Sequence, residues 1–442
     1  MDKAKLFLRI YFGCHRFCST KHSNKKCGGN MRTRTLAVTA GMLLLSFLSG
    51  CATIGVPLSG VTAIGPTGYL SMPSQGVQLV SETESEFKYT FFYGTTRRPL
   101  NLGEVASDGP YSAKRDTVLH YGTIEMLVPK HHQVGSTGSD PSTSTGGDPR
   151  LVIQDNDIHP YTDESAFLKD ALLHLRVSTE PDSFVVYIHG YRNTFKESAI
   201  RAGQLGVDLG IPSYHLFLFN WPSAGTLVHG YFMDEATIDA SEPYLAEYLR
   251  TIAEIAGTRK IHVIAHSMGN RALLRVVASA LNDVTSSHAI HLGQVILAAP
   301  DVDVQVFSEL APAYVRLAEH TTVYMSPYDK AVHTSEALHA YPRVGCGSAP
   351  LSPVEHIDYV VSNIDVDLID TGHDYFASAV PFLANTKSLI YYGQSSHVGD
   401  WQWHPKEHYW SVEHRDPSLW VDQWGCQKTQ AGQDDGINVG AQ

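Results

Sequence analysis

Ile261-His262-Val263-Ile264-Ala265-His266-Ser267-Met268-Gly269-Asn270 is an apolar run that breaks into a turn of small residues around a single serine. Arg259 to Ile264 alternates into β-branched residues, and the following segment Asn270 to Leu281 (NRALLRVVASAL) carries apolar residues at helical spacing. A strand that turns this abruptly into a helix holds the residue at the turn in a strained backbone and lifts its hydroxyl above the sheet edge. Strand and helix can approach closely only where the flanking side chains are small. Ala265 and Gly269 meet that need, giving A-x-S-x-G where G-x-S-x-G is usual. The stretch therefore reads as a nucleophile elbow. The competing reading, a serine in an ordinary strand-to-helix turn, is disfavoured by the flanking pattern.

The same alternation runs on both sides. A helix is expected at Glu164 to Arg176, then a buried strand FVVYIHG (Phe184 to Gly190) and a helix from Thr194 to Leu209. The strand YHLFLFNW (Tyr214 to Trp221) is followed by a long loop, Asn220 to Ser241, and a helix at Pro243 to Ala256. Tyr231, Phe232 and Met233 stand in the middle of that loop, as part of a lid or acyl pocket or packed on neighbouring strands. After the elbow come GQVILAAP (Gly293 to Pro300), HTTVYMS (His320 to Ser326) and a last strand within Val354 to Ile364. Apolar strands alternating with amphipathic helices specify an α/β fold, a mostly parallel sheet covered on both faces over residues 164–385. Ahead of it, FKYTFFYGTTRRP (Phe87 to Pro99) and VLHYGTIEMLVPKHH (Val118 to His132) read as strands of an amino-terminal β extension or accessory sheet, followed by a Gly/Ser/Thr-rich mobile loop at 133–150. The Trp/His-rich stretch after residue 385 has no evident role.

A serine hydroxyl becomes a nucleophile when a base takes its proton, and the base needs an acid to hold its ring. In sheets of this kind the chain order is serine, acid, histidine. Asp329 follows the strand HTTVYMS and is the first candidate acid; Asp301 and Asp303, after the preceding strand, compete with it. The losing aspartate is expected to cap a helix. With 23 histidines in the chain, residue type alone selects none. His373, in the loop Thr371-Gly372-His373-Asp374 past the last strand, has the position a base requires. The backbone amides of Met268 and Tyr191 are the expected oxyanion donors, with Gly190 letting the chain approach the substrate and Asn193 read as a helix cap.

The first 85 residues carry a different message. Met31-Arg32-Thr33-Arg34 is basic, Leu36 to Leu48 is apolar, and Leu48-Ser49-Gly50-Cys51 follows, which reads as a lipoprotein signal with Cys51 as the acylated amino terminus. The apolar run is short for a membrane span. Translation starting at Met31 would make residues 1–30 an extension, and residues 51–85 would serve as a flexible tether. Ala52 after Cys51 favours the outer membrane, facing the periplasm. Cys14, Cys18, Cys27, His15 and His22 match no zinc spacing, and neither metal nor cofactor is expected. Cys346 and Cys426 are free to form a disulfide in such a compartment or to remain thiols. A net charge of −12, more negative still beyond residue 50, excludes nucleic acid and charge-driven binding to anionic lipid.

Taken together, FVVYIHGYRNTF, FLFNWPSAG, IHVIAHSMGNRALL, ILAAPDVD, VYMSPYDKA and GHDYF resemble a family of bacterial α/β-hydrolases of unknown function, over about Phe87 to Phe376. The resemblance implies Ser267 as nucleophile, Asp329 as acid and His373 as base of an esterase or lipase-like enzyme. The expected activity is cleavage of a small-molecule or lipid ester through an acyl-enzyme. Amide or thioester cleavage by the same residues, and a non-catalytic envelope protein built on the same fold, are the alternatives.

Overall fold

The computed structural model describes residues 83–412 apart from 84, 102–103, 105–107, 139–149, 178–182, 225–228, 280–289, 291, 348–352, 365–371 and 398–399. The signal segment, Cys51, Cys426, most of the tether and the Gly/Ser/Thr-rich part of the loop at 133–150 lie outside the described residues. Among those described, no helix is long and apolar enough to cross a membrane.

In chain order the elements are β1 (Glu86–Pro99), β2 (Tyr111–Pro129), β3 (Ile158–Pro160), α1 (Glu164–Val177), β4 (Ser183–Ile188), α2 (Phe195–Leu209), β5 (Leu216–Asn220) and α3 (His229–Ala256). Then come β6 (Lys260–His266), α4 (Gly269–Ala278), β7 (Leu292–Ala298), α5 (Val304–Leu310), α6 (Pro312–Leu317), β8 (Ala318–Met325) and α7 (Lys330–His339). The chain continues with β9 (Asp358–Ser362), α8 (Tyr375–Ser378), α9 (Val380–Tyr392), β10 (Trp401–His404) and β11 (Tyr409–Val412).

One sheet collects the strands in the order β10-β11-β9-β8-β7-β6-β4-β5-β1-β2-β3. The pairs from β1 and β5 through to β9 and β11 are parallel, while β2 and β3 at one edge and β10 at the other run antiparallel to their neighbours. The period of two shows in β4. Phe184, Val186 and Ile188 join the apolar cluster under α1, α3 and α4, whereas Val185 and Tyr187 join the one under α2 and α9. Each such side chain, wholly buried, contributes about 1.5–3 kcal/mol. Both faces are covered, as the near-continuous apolar strands require.

The amino-terminal strands do not form a separate sheet. Phe92 to Thr95 of β1 pair with Phe217 to Asn220 of β5, so the extension lengthens the main sheet. The Trp/His-rich stretch does the same at the far edge, where Trp410 to Val412 pair with Val360 to Ser362.

The long loop expected at 220–241 is corrected. α3 begins at His229, a full 14 residues before Pro243, which lies inside the helix. Proline commonly opens a helix, yet here the helix is already formed when Pro243 is reached. Tertiary contacts hold the earlier turns instead: Arg271 and Arg275 of α4 bond Asp239, and the Tyr231 hydroxyl donates to Asp301. Tyr231 is therefore buried in the first turn, with Phe232 and Met233 on the exposed side of the helix. Cys346 is disulfide-bonded, and Cys426 lies outside the described residues.

Candidate active site

Ser267 leaves β6 with φ 52°, the left-handed backbone that the elbow demands of a residue with a side chain. Its amide donates to Ala298 O of β7 at 2.9 Å, and its carbonyl accepts from Asn270 and Asp301. Asn270 Nδ2 adds bonds to Ala265, Ser267 and Ala298 carbonyls at 3.0 to 3.1 Å, so the turn is held from both strands. Close approach explains the small residues. A Cβ on Gly269 would stand 2.6 Å from His189 O, and one on Gly190 would stand 2.8 Å from Ser267 Cβ.

Asp329 follows β8 and His373 precedes α8, and the fold joins them: His373 Nδ1 lies 2.6 Å from Asp329 Oδ2. The other carboxylate oxygen accepts from the Ala331 and Val332 amides, capping α7. The acid is wholly buried. Burial alone would push the His373 imidazole down, but the Asp329 charge and hydrogen bond outweigh it and raise the pKa above the ordinary value.

The competing aspartates have other work. Asp303 caps α5 through the Gln305 and Val306 amides. Asp301 caps nothing, contrary to expectation for an unused acid. It is buried, accepting hydroxyl bonds from Tyr231 and Ser335 at 2.5 Å each, with Arg343 Nε 3.7 Å away.

Ser267, His373, Tyr191, Tyr231 and Asp301 line one cavity of about 510 Å3 at the carboxyl ends of the strands, the place where open parallel sheets bind ligands. Met268, next in sequence to the serine, stands at the head of α4, where first-turn amides have no partner within the helix. Tyr191 follows Gly190, whose backbone runs directly against Ser267. Asn193 is corrected: Thr194, in a capping box with Glu197, caps α2, while Asn193 Nδ2 donates to the Gly190 and Tyr191 carbonyls and braces the loop.

Three further residues shape the site and were not legible as such. His266 is buried with its ring centroid 4.5 Å from that of His373. Burial first, and the neighbouring His373 second, push its pKa well down, so it stays neutral and no second cation opposes charging of His373. His189 stacks on Trp221 at an interplanar angle of 2°, and Trp221 Nε1 donates to His189 O at 2.8 Å. Arg97 of β1 is buried, with Nε donating to Asn220 Oδ1 at 2.5 Å and its terminal nitrogens to the Ser223 and Asn193 carbonyls at 3.3 and 2.8 Å. Burial lowers its pKa to about 10. Its only signal in the sequence was a charged residue inside an aromatic strand.

A family model described as Alpha/beta hydrolase of unknown function (DUF900) matches residues 165–381. Among solved structures, phospholipase PlaB from Legionella pneumophila aligns at 12% identity over 34% of this chain and 40% of that chain, with a TM-score of 0.23. The same phospholipase in complex with thio-NAD aligns at 13% identity over 34% and 39%, with a TM-score of 0.19. The matched part thus spans less than half of that protein's length. No curated protein matches the sequence.

Proposed function

We propose that this chain, whose residues 165–381 match the model of an α/β-hydrolase family of unknown function, is a serine hydrolase cleaving carboxylic esters through an acyl-enzyme. The observation that carries the reading is the 2.6 Å bond from a buried Asp329 to His373, which lines the same cavity as the strained Ser267.

In this reading His373 Nε2 takes the Ser267 proton as Oγ adds to the ester carbonyl. The carbonyl oxygen becomes an oxyanion received by the amides of Tyr191 and Met268. Collapse breaks the bond to the alkoxy oxygen, which leaves as the alcohol with the proton from His373. Water then attacks the acyl-enzyme, giving His373 a proton and releasing the acid and Ser267. Asp329 keeps the imidazole in the tautomer with hydrogen on Nδ1 and stabilises its charged form. Among the described residues no hydrogen bond joins Ser267 Oγ to His373, and such contacts commonly tighten only when substrate is bound.

A fluorophosphonate probe tests this. Covalent labelling that disappears in Ser267→Ala is the expected result; a folded protein that stays unlabelled, or a variant labelled equally, overturns it.

We further propose that acylation of Cys51 anchors the enzyme to the envelope, in the outer membrane facing the periplasm, with a lipid or small-molecule ester as its substrate. The basic start, short apolar run and small-residue end before Cys51 support this. Incorporation of labelled fatty acid that survives in Cys51→Ser would refute it.

A further inference from the structure

The walls of the Ser267 cavity carry charged side chains that ester cleavage does not use, and they fall into two sets. The carboxylates are engaged. Glu197 accepts the Thr194 amide, Asp301 accepts two hydroxyls, and Asp374 is held by Arg201 at 2.6 Å. The cations are not all balanced. Arg201 is neutralised by Asp374, but the guanidinium groups of Arg150 and Arg192, which line the same cavity, have no ion-pair partner among the described residues. Arg150 and Arg192 are thus the cations on this cavity that are open to an added anion.

The backbone adds a second observation. Arg192 sits at φ 60°, a left-handed conformation that glycine would adopt without strain. That conformation is fixed on both sides: the Arg192 amide donates to Ser223 Oγ at 2.8 Å, and Asn193 Nδ2 clamps the two preceding carbonyls. The residue thus lies in the loop whose Gly190 runs against Ser267, and it lines the cavity. Arg150 and Arg192 are both exposed, so their heads stay hydrated until a ligand replaces the water. A planar guanidinium presents paired N–H donors that match two oxygens of a carboxylate or phosphate.

We propose that Arg150 and Arg192 bind an anionic group on the substrate, so that the preferred ester carries a carboxylate or phosphate away from its scissile carbonyl. This rests on the hydrolase reading above and specifies its substrate class.

The test compares p-nitrophenyl hydrogen succinate with p-nitrophenyl butyrate, near-isosteric esters that differ in one charge. At low ionic strength the charged ester should have a kcat/KM about tenfold or more above the neutral one, with the advantage shrinking as salt is added. In Arg150→Gln/Arg192→Gln the ratio should fall to about one; the single Arg150→Gln should lower it if the double variant does not fold. A short-chain monoacylglycerol phosphate against the corresponding monoacylglycerol shows whether phosphate serves as well as carboxylate. Equal rates for charged and neutral esters in the unaltered protein, or a ratio untouched in the variants, would overturn the proposal. A binding arm separates this from the hydrolase reading. Calorimetry on Ser267→Ala should show methyl hydrogen succinate binding at least about tenfold more tightly than dimethyl succinate. Charge-selective binding without any hydrolysis defeats the hydrolase reading alone, whereas hydrolysis without charge selectivity defeats the anion site alone.

Discussion

Asp329 uses its two carboxylate oxygens for two purposes: Oδ2 holds His373 Nδ1 at 2.6 Å, while Oδ1 accepts the Ala331 and Val332 amides at the head of α7 at 3.0 Å each. The cap fixes the carboxylate, and the carboxylate fixes the imidazole. Capping and orienting are compatible because a carboxylate has acceptor sites on both oxygens.

The two duties separate by substitution. Asparagine caps helices about as well as aspartate, so Asp329→Asn should keep its melting temperature within a few degrees while losing on the order of ten-thousandfold in kcat. Asp329→Ala should lose the same activity and about 1 kcal/mol more stability in urea unfolding. Equal activity in the asparagine variant would remove Asp329 from the site.

The pH profile follows from the raised pKa of His373. A general base works only when neutral, and Asp329 favours the charged form of His373, so under the proposed mechanism activity should fall with decreasing pH through a value above that of an ordinary imidazole. In Asp329→Asn the attraction is gone and burial remains, which moves the acid limb to lower pH. A kcat/KM profile whose acid limb lies below the ordinary imidazole range in the unaltered protein would contradict the assignment.

Gly190 is set by contact with the nucleophile. A methyl group there would stand 2.8 Å from Ser267 Cβ and 3.1 Å from His266 Nδ1, so Gly190→Ala must move the loop at Gly190 or the elbow. The expected loss is about 1–3 kcal/mol of stability and roughly a hundredfold in probe-labelling rate. Labelling at the original rate would show that the loop takes no part.

Arg97 ties the amino-terminal extension to the site. Removing its guanidinium in Arg97→Met leaves Asn220 Oδ1 and the Asn193 and Ser223 carbonyls without their donor. At about 1–3 kcal/mol per buried orphaned acceptor, the variant should lose about 3 kcal/mol or more in urea unfolding. A change under about 1 kcal/mol would mean that water or a neighbouring donor replaces the arginine.

Acid should weaken the fold before carboxylates titrate. Burial lowers His189 to about 3 and His262 to about 4, so unfolding takes up protons once the pH drops below the ordinary imidazole value. A depressed histidine stabilises the folded state above the unfolded pKa and ceases to do so as pH falls, about 2 kcal/mol per group by pH 5. His373 and His320, with raised values, act in the opposite sense, but mainly above the ordinary imidazole value, between their unfolded and folded pKa. The urea midpoint should still be lower at pH 5 than at pH 7, and an unchanged or higher midpoint would show that these rings charge without cost.

Much of this was legible locally. The elbow announces itself because strand, turn and helix each leave a mark within a few residues: the β-branched run before Ser267, the small Ala265 and Gly269, and the helical spacing after Asn270. His373 was reachable from chain order because a parallel sheet puts every strand's carboxyl end on the same side. The first turns of α3 were not legible, since Pro243 looks like a start and the bonds that override it come from Arg271, Arg275 and Asp301, far along the chain.

The sequence by itself determined the class of fold and the strained turn at Ser267, because these depend on periodicity and side-chain size over short distances. Only the tertiary structure decided that Asp329 rather than Asp301 meets His373, that Arg97 reaches across to Asn220 and Asn193, and that Arg150 and Arg192 face the cavity of Ser267. The reason is geometric. A hydrogen bond between residues 44 or 123 positions apart is specified by how strands stack and loops close, and no local pattern encodes it.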